Sequence, residues 1–205
     1  MKNNDDLIKL TLDYYNKNAE KFCAGTSNAD ISDHQNLFLT YLPATAHILD
    51  LGCGSGRDSR AFLDRGYQVD AIDGSEELCR LASELLGKPV EHRQFQDLDA
   101  IGEYDGIWAC ASILHLNMGD LENVLIKISR ALRPGGILYT SFKYGDFEGV
   151  RNGRYFNCMT EIRMEVLLKQ INCFETEKIW TSYDVRPGRE DEKWLNILLR
   201  AKNQM

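Results

Sequence analysis

The chain has 205 residues, 43% of them hydrophobic, and a formal net charge of -7. That length suits one domain around one sizeable core, and no stretch is long and apolar enough to span a bilayer. The acidic balance repels nucleic acid on average, and the six cysteines form neither a C-x-x-C pair nor a Cys/His cluster at zinc spacing, which argues against a disulfide framework or a metal centre.

The opening residues, Met1 to Asp6, are polar and acidic rather than basic and then apolar. They do not read as a signal peptide, and the expected compartment is the cytoplasm. Leu7, Leu10 and Tyr14 fall at helical spacing. Leu37, Phe38, Tyr41 and Leu42 mark a second helix, which Pro43 stops. These two helices set residues 1–45 apart from a core over residues 46–205.

A strand–helix alternation follows. Ile48-Leu49-Asp50-Leu51 reads as a short buried strand, the run from Gly52 to Gly56 as a turn, and the next residues as a helix closed by Gly66. A second strand is expected over 67–72. Ser75 then caps a helix with Glu76 and Glu77 in its first turn, where carboxylates favour the positive helix end. Leu78, Leu81, Ala82, Leu85 and Leu86 form its buried stripe, and Gly87 and Pro89 stop it. Strands are expected over 90–95 and 104–110. Leu121, Val124, Leu125, Ile128 and Leu132 mark the next helix. Arg133-Pro134-Gly135-Gly136 turns the chain into a fifth strand over 137–142, and a helix spans 160–170. The segments 174–183 and 194–201 read as strands with no helix between them, hence as an antiparallel pair.

Repeated strand–helix alternation requires a mostly parallel sheet with helices on both faces. Ligands bind such sheets beyond the carboxyl ends of the strands. That rule gathers residues 50–56, Asp73-Gly74-Ser75, Gln96-Asp97-Leu98, Ala109-Cys110-Ala111-Ser112 and Lys143-Tyr144 around one crevice.

The glycine turn carries the chemistry. Glycine permits positive φ and lets the backbone approach a ligand. Seventeen positions beyond Gly56, the second strand ends in Asp73, where a carboxylate can take both hydroxyls of a ribose. A dinucleotide fingerprint would be G-x-G-x-x-G, but its third glycine would fall on Arg57; the spacing here is G-x-G-x-G, through Gly52, Gly54 and Gly56. Asp50 precedes the first glycine. A carboxylate there would repel a pyrophosphate and attract a cationic amino-acid tail.

In these residues the sequence resembles the class I S-adenosylmethionine-dependent methyltransferases. Asp50-Leu51-Gly52-Cys53-Gly54-Ser55-Gly56 matches that family's cofactor loop, Asp73 its ribose-binding acid, and Arg133-Pro134-Gly135-Gly136 a common turn before the fifth strand. The run Gly54-Ser55-Gly56-Arg57-Asp58-Ser59 is similar to the small tellurite-resistance-type methyltransferases. The resemblance implies a Rossmann-like three-layer sandwich with a seven-stranded sheet, its last strand antiparallel and inserted beside the fifth. It also implies S-adenosylmethionine as cofactor. Asp50, Gly52, Cys53, Gly54, Gly56 and Arg57 would lie at the loop, Asp73, Gly74 and Ser75 at the ribose, and Gln96, Asp97 and Leu98 at the adenine. Ala109 and Cys110 would follow at the fourth strand; Tyr14 and Tyr15, before Asn18-Ala19, resemble the family's lid helix, so that residues 1–45 would form a helical lid from which either ring covers the methionine part, the alternative being simple helix packing.

Methyl transfer is an in-line displacement that depends on alignment and exclusion of water. His115, just after the fourth strand, is the candidate base or orienting group for an acceptor; the competing reading is a structural hydrogen bond. A long connection after the fifth strand offers Lys143, Arg151, Arg154 and Tyr155, and the link before the last strand adds Arg186 and Arg189. Basic residues concentrated in an acidic protein point to an anionic small-molecule acceptor. The alternative is that they pair with Glu148, Glu190, Asp191 and Glu192. Three other functions stay open: an RNA or protein methyltransferase, a module that binds the cofactor without turnover, and, disfavoured by Arg57, a nicotinamide-dependent oxidoreductase. Trp108-Ala109-Cys110-Ala111 lacks the Pro-Pro-aromatic motif of amino-methylating DNA enzymes. No metal-ligand constellation is apparent.

Overall fold

The computed structural model describes residues 4–202. Two helices, α1 (Asn4–Thr26) and α2 (Ser32–Leu39), precede β1 (His47–Leu51), α3 (Arg57–Asp64), β2 (Gln68–Asp73), α4 (Glu76–Leu86), β3 (Glu91–His92) and β4 (Tyr104–Ala109). Then come α5 (Met118–Ala131), β5 (Leu132–Lys143), a hairpin of β6 (Glu148–Arg151) and β7 (Arg154–Asn157), α6 (Glu161–Ile171), β8 (Phe174–Tyr183) and β9 (Lys193–Ala201).

The main sheet has seven strands in the order β3-β2-β1-β4-β5-β9-β8. β1 to β5 pair in parallel, and β9 is antiparallel to both β5 and β8. This is the Rossmann-like three-layer sandwich that the resemblance implied, with the antiparallel strand beside the fifth. Consecutive strand residues face opposite layers. In β4, Ile107 packs toward α5 and α6, while Trp108 packs toward α2 and α3 with Phe38, Phe62 and Tyr139. Ala71 and Cys79 to Leu86 seat α4 on the same side as α3.

Local sequence explains the helix ends. The Ser75 hydroxyl accepts from Leu78 N–H at 3.3 Å, and Gly87 closes α4 in the left-handed region. Asn117 caps α5 and Thr160 caps α6 by the same side-chain bond. At β5 the pairing jumps from Tyr104 opposite Leu132 to Gly106 opposite Ile137, so Arg133-Pro134-Gly135-Gly136 bulges out of the strand.

Two expectations are corrected. The third strand is only Glu91–His92, and Phe95–Asp97 is a 3-10 turn. Phe95 packs against the core there, and Leu98 is buried behind it. The long connection after β5 is the ordered β6–β7 hairpin, tied down where Tyr155 N–H donates to the Thr11 hydroxyl at 3.0 Å. Helix α1 bends at Asn18, which has φ -118° and ψ 17°. The Asn18 amide donates to the Tyr14 carbonyl at 2.7 Å across the bend. Asn16 ties α1 to α4 by accepting from the Ser75 hydroxyl at 2.7 Å. Among the described residues, no helix is long and apolar enough to cross a membrane.

Candidate functional site

A cavity of about 880 Å³ opens at the carboxyl ends of β1, β2, β4 and β5, roofed by α1 and flanked by the β6–β7 hairpin and the β8–β9 link. That is toward the upper end of the ~300–1,000 Å³ usual for small-molecule sites.

At one end lies the glycine turn. Gly52, Gly54 and Gly56 have φ of 81°, 56° and 78°. A Cβ on Gly52 would lie 2.5 Å from Ser112 Cβ, so the turn can pass only as glycine. The N–H groups of Gly52 and Cys53 both donate to the Ile72 carbonyl, and that of Gly56 to Cys53. Gly54 N–H donates to Asp73 Oδ2 at 2.9 Å, and Ser75 N–H to Oδ1 at 2.8 Å. These N–H groups, which a diphosphate would need free, are therefore already engaged. Asp73 is the group the turn presents instead. Its carboxylate has about four lone-pair sites, two of them taken, which leaves acceptors for two hydroxyl donors. Burial pushes its pKa up, and the N–H bonds oppose the rise. Phe22 lies over the turn, its ring 3.1 Å from where a Gly54 Cβ would be. Further along, Gln96 lines the cavity with its Nε2 buried and without a partner.

Several expected cofactor residues stand behind this surface rather than on it. Asp50 is buried beneath the turn and accepts from the Ser59 hydroxyl at 2.6 Å. Burial and neighbouring Asp58 push its pKa up. Gly56 packs α3 against α4, 3.1 Å from Ala82 Cβ by its missing side chain. Ser75, Asp97, Leu98 and Ala109 do not line the cavity either; Tyr14, Tyr15, Gly52, Cys53, Gly54, Arg57, Asp73, Gly74, Gln96 and Cys110 do.

The middle of the cavity holds a connected chain. His115 Nδ1 lies 2.6 Å from the Tyr155 carbonyl. A carbonyl only accepts, so Nδ1 carries the hydrogen and Nε2 accepts from the Tyr15 hydroxyl at 2.8 Å. Burial pushes the His115 pKa down to about 4, with nearby Arg154 adding to the effect, so the ring is neutral. Arg154 Nη1 in turn donates to the Tyr15 oxygen at 3.3 Å.

The basic cluster is only partly assembled. Arg151 does not line the cavity; its guanidinium sits 4.3 Å from the Phe147 ring. Tyr155 is likewise outside, with its hydroxyl on Glu148. Lys143, Arg154, Arg186 and Arg189 do line it. Lys143 pairs with Glu192, Arg186 Nε bonds Asp184 Oδ1 at 2.8 Å, and Arg189 reaches Glu192 at 3.6 Å. The acids that pair with them are Asp184 and Glu192, so Glu192 is one of the four acids suggested by sequence and Asp184 is new.

Other lining residues were not visible in the sequence. Asp58 is buried and bonded to Arg57 at 2.8 Å, to Gln35 Nε2 at 2.9 Å and to Trp108 Nε1 at 2.9 Å. Trp194 and Asn196 reach the cavity because β9 runs antiparallel, which brings its beginning to the carboxyl ends of the other strands. Once the antiparallel pair was recognised, that topology was the available signal.

Residues 48–136 match a methyltransferase domain family. The chain is 32% identical over 111 residues to a malonyl-(acyl-carrier protein) O-methyltransferase of Salmonella typhimurium, a stretch that covers 52% of this chain and 43% of that protein. The chain thus spans about half the length of the curated relatives it matches. The fold superposes with a TM-score of 0.81 on a Burkholderia thailandensis 1,6-didemethyltoxoflavin-N1-methyltransferase that holds 1,6-didemethyltoxoflavin and S-adenosylhomocysteine; identity is 20%, and the match covers 99% of this chain and 92% of that one. The 4+2 cyclase SpnF shares the fold at a TM-score of 0.66 and 15% identity, over 83% of this chain and 80% of that one. The domain match is to a methyltransferase family over residues 48–136, and the solved structures show the fold. The cyclase is a reminder that fold does not set the reaction; the site does.

Proposed function

We propose that this chain is an S-adenosylmethionine-dependent methyltransferase acting on a small, anionic acceptor. The observation that carries the reading is Asp73: a buried carboxylate held by two backbone N–H groups at the lip of a turn whose glycine N–H groups are all engaged internally. That arrangement suits a ribose and an uncharged linkage better than a diphosphate.

When bound, the cofactor supplies a methyl group activated on a sulfonium. Asp73 takes the ribose hydroxyls, Gln96 offers its unpartnered amide to the adenine, and Gly52 and Gly54 let the backbone lie close to the amino-acid end. Asp50 acts through the turn by holding α3 to it via Ser59. Tyr15 and Phe22, packed edge to face with centroids 5.2 Å apart, exclude water from above. The acceptor occupies the far half, lined by Cys110, Ser141, Trp194 and Asn196. A proton leaving an oxygen or nitrogen acceptor reaches the neutral Nε2 of His115 through the Tyr15 hydroxyl.

The acidic charge of -7 supports a small-molecule acceptor over nucleic acid. All six thiols are free, which supports a reducing, cytoplasmic compartment. The finer likeness to tellurite-resistance-type enzymes rests on the residues after Gly54 alone. Residues 1–45 serve as the lid and the remainder as the core of a single domain. Calorimetry with S-adenosylhomocysteine and with NADH tests the reading. Binding of the former, weakened tenfold or more in Asp73→Ala, is expected; binding of NADH alone would refute it.

A further inference from the structure

We infer that Arg154 is a carboxylate-binding residue, which deepens the reading above by naming the anionic group the cavity takes. The guanidinium centre lies 4.5 Å from the Tyr14 ring, 5.0 Å from Phe156 and 5.5 Å from Tyr15. Aromatic faces stabilise the cation but leave its in-plane donors without acceptors. Among the described residues, the Nη1 bond to Tyr15 at 3.3 Å is the one that its five N–H donors make, and Nε is buried with no partner. The other guanidinium groups on the cavity wall are held by acids: Arg57 by Asp58, Arg186 by Asp184 and Arg189 by Glu192. Among the described residues no carboxylate reaches Arg154.

A half-buried guanidinium whose buried Nε has no acceptor is costly unless an anion completes its fork, and a carboxylate matches its planar geometry. The aromatic walls exclude water from that pair and strengthen it. Two sources present a carboxylate to this point: the acceptor, or the amino-acid end of the cofactor. The chemistry at Arg154 is the same for both.

The test uses the full chain and three probes in calorimetry: S-adenosylhomocysteine, its analogue lacking the α-carboxylate, and benzoate, titrated into free protein and into the S-adenosylhomocysteine complex. If the acceptor is the source, Arg154→Met abolishes benzoate binding and leaves S-adenosylhomocysteine affinity within twofold. If the cofactor is the source, Arg154→Met weakens S-adenosylhomocysteine at least tenfold and leaves the decarboxylated analogue unchanged. The inference is overturned if Arg154→Met alters none of the three, or weakens both nucleosides equally. Should Arg154→Met fail to fold, Arg154→Lys, which keeps the charge and loses the fork, is read by the same comparisons, with effects of at least threefold. A protein that binds no S-adenosylhomocysteine but still binds benzoate through Arg154 would sink the methyltransferase reading and leave this one standing.

Discussion

Gly52→Ala isolates the constraint on the glycine turn, with Gly66→Ala as its control. Both glycines are left-handed, at φ 81° and 86°. An alanine there costs roughly 1–2 kcal/mol from backbone strain. The two sites differ in space. Nothing lies within 4 Å of a Cβ on Gly66, whereas on Gly52 it would meet Ser112 Cβ at 2.5 Å and Phe95 at 3.1 Å. Ser112 cannot withdraw easily, because its hydroxyl donates to the Leu51 carbonyl at 2.6 Å. Overpacking of this kind adds about 1–3 kcal/mol, so Gly52→Ala should cost about 2–5 kcal/mol in all. For a chain of this size that lowers Tm by roughly 4–20 °C, against about 2–8 °C for Gly66→Ala. Urea unfolding gives the two free energies, and calorimetry on the folded variants should show S-adenosylhomocysteine binding lost in Gly52→Ala and kept in Gly66→Ala. Equal destabilisation by the two substitutions, or wild-type ligand affinity in Gly52→Ala, would refute the argument that the turn is sterically locked against Ser112.

Asp58→Ala removes a buried carboxylate that pairs with half-buried Arg57 and accepts from Gln35 and Trp108, and should lose about 3–5 kcal/mol in urea unfolding; a loss under about 1 kcal/mol contradicts that pairing. Asp50 is held with a raised pKa by burial and by Asp58. The folded state therefore binds its proton more tightly than the unfolded one, so this group's stabilising contribution is full below about pH 4 and is lost as pH rises toward the raised value. Asp50→Asn should flatten the wild-type decline in stability over that window, and an unchanged slope in urea melts at successive pH values would count against it. His115 should stay neutral as the Nδ1–H tautomer down to about pH 5, following its pKa of about 4; nitrogen NMR showing it protonated at pH 6 would exclude a ring that accepts from Tyr15 through Nε2. Tyr15→Phe removes the hydroxyl that donates to His115 Nε2. On an oxygen acceptor it should lower kcat by roughly 10²–10⁴-fold with KM little changed, and an unaltered kcat would remove Tyr15 from the proton path.

Much of the fold was legible because periodicity and punctuation are local. The cap at Ser75, the stops at Gly66 and Gly87, and the apolar runs of β1, β4 and β5 each follow from a few adjacent residues. The third strand was overestimated for the same reason. Val90 to Phe95 is β-prone in isolation, but Phe95 turns into the core and ends the pairing after His92. The hairpin of β6 and β7 was missed because its segments are short and its stability comes from contact with α1, through Thr11 and Tyr14.

Outside the β6–β7 hairpin, the sequence by itself determined the order of strands and helices, the glycine turn and the acid that follows it, since each depends on neighbours in the chain. Tertiary structure decided which charges are available. Lys143, Arg186 and Arg189 read alike with Arg154 as basic residues near one mouth, yet three of them meet acids and one meets aromatic rings. Arg186 and Arg189 find their acids within three residues, but Glu192 reaches Lys143 and the Tyr14 and Tyr15 rings reach Arg154 only through the fold, because charge pairing falls off over a few ångströms of space rather than along the chain.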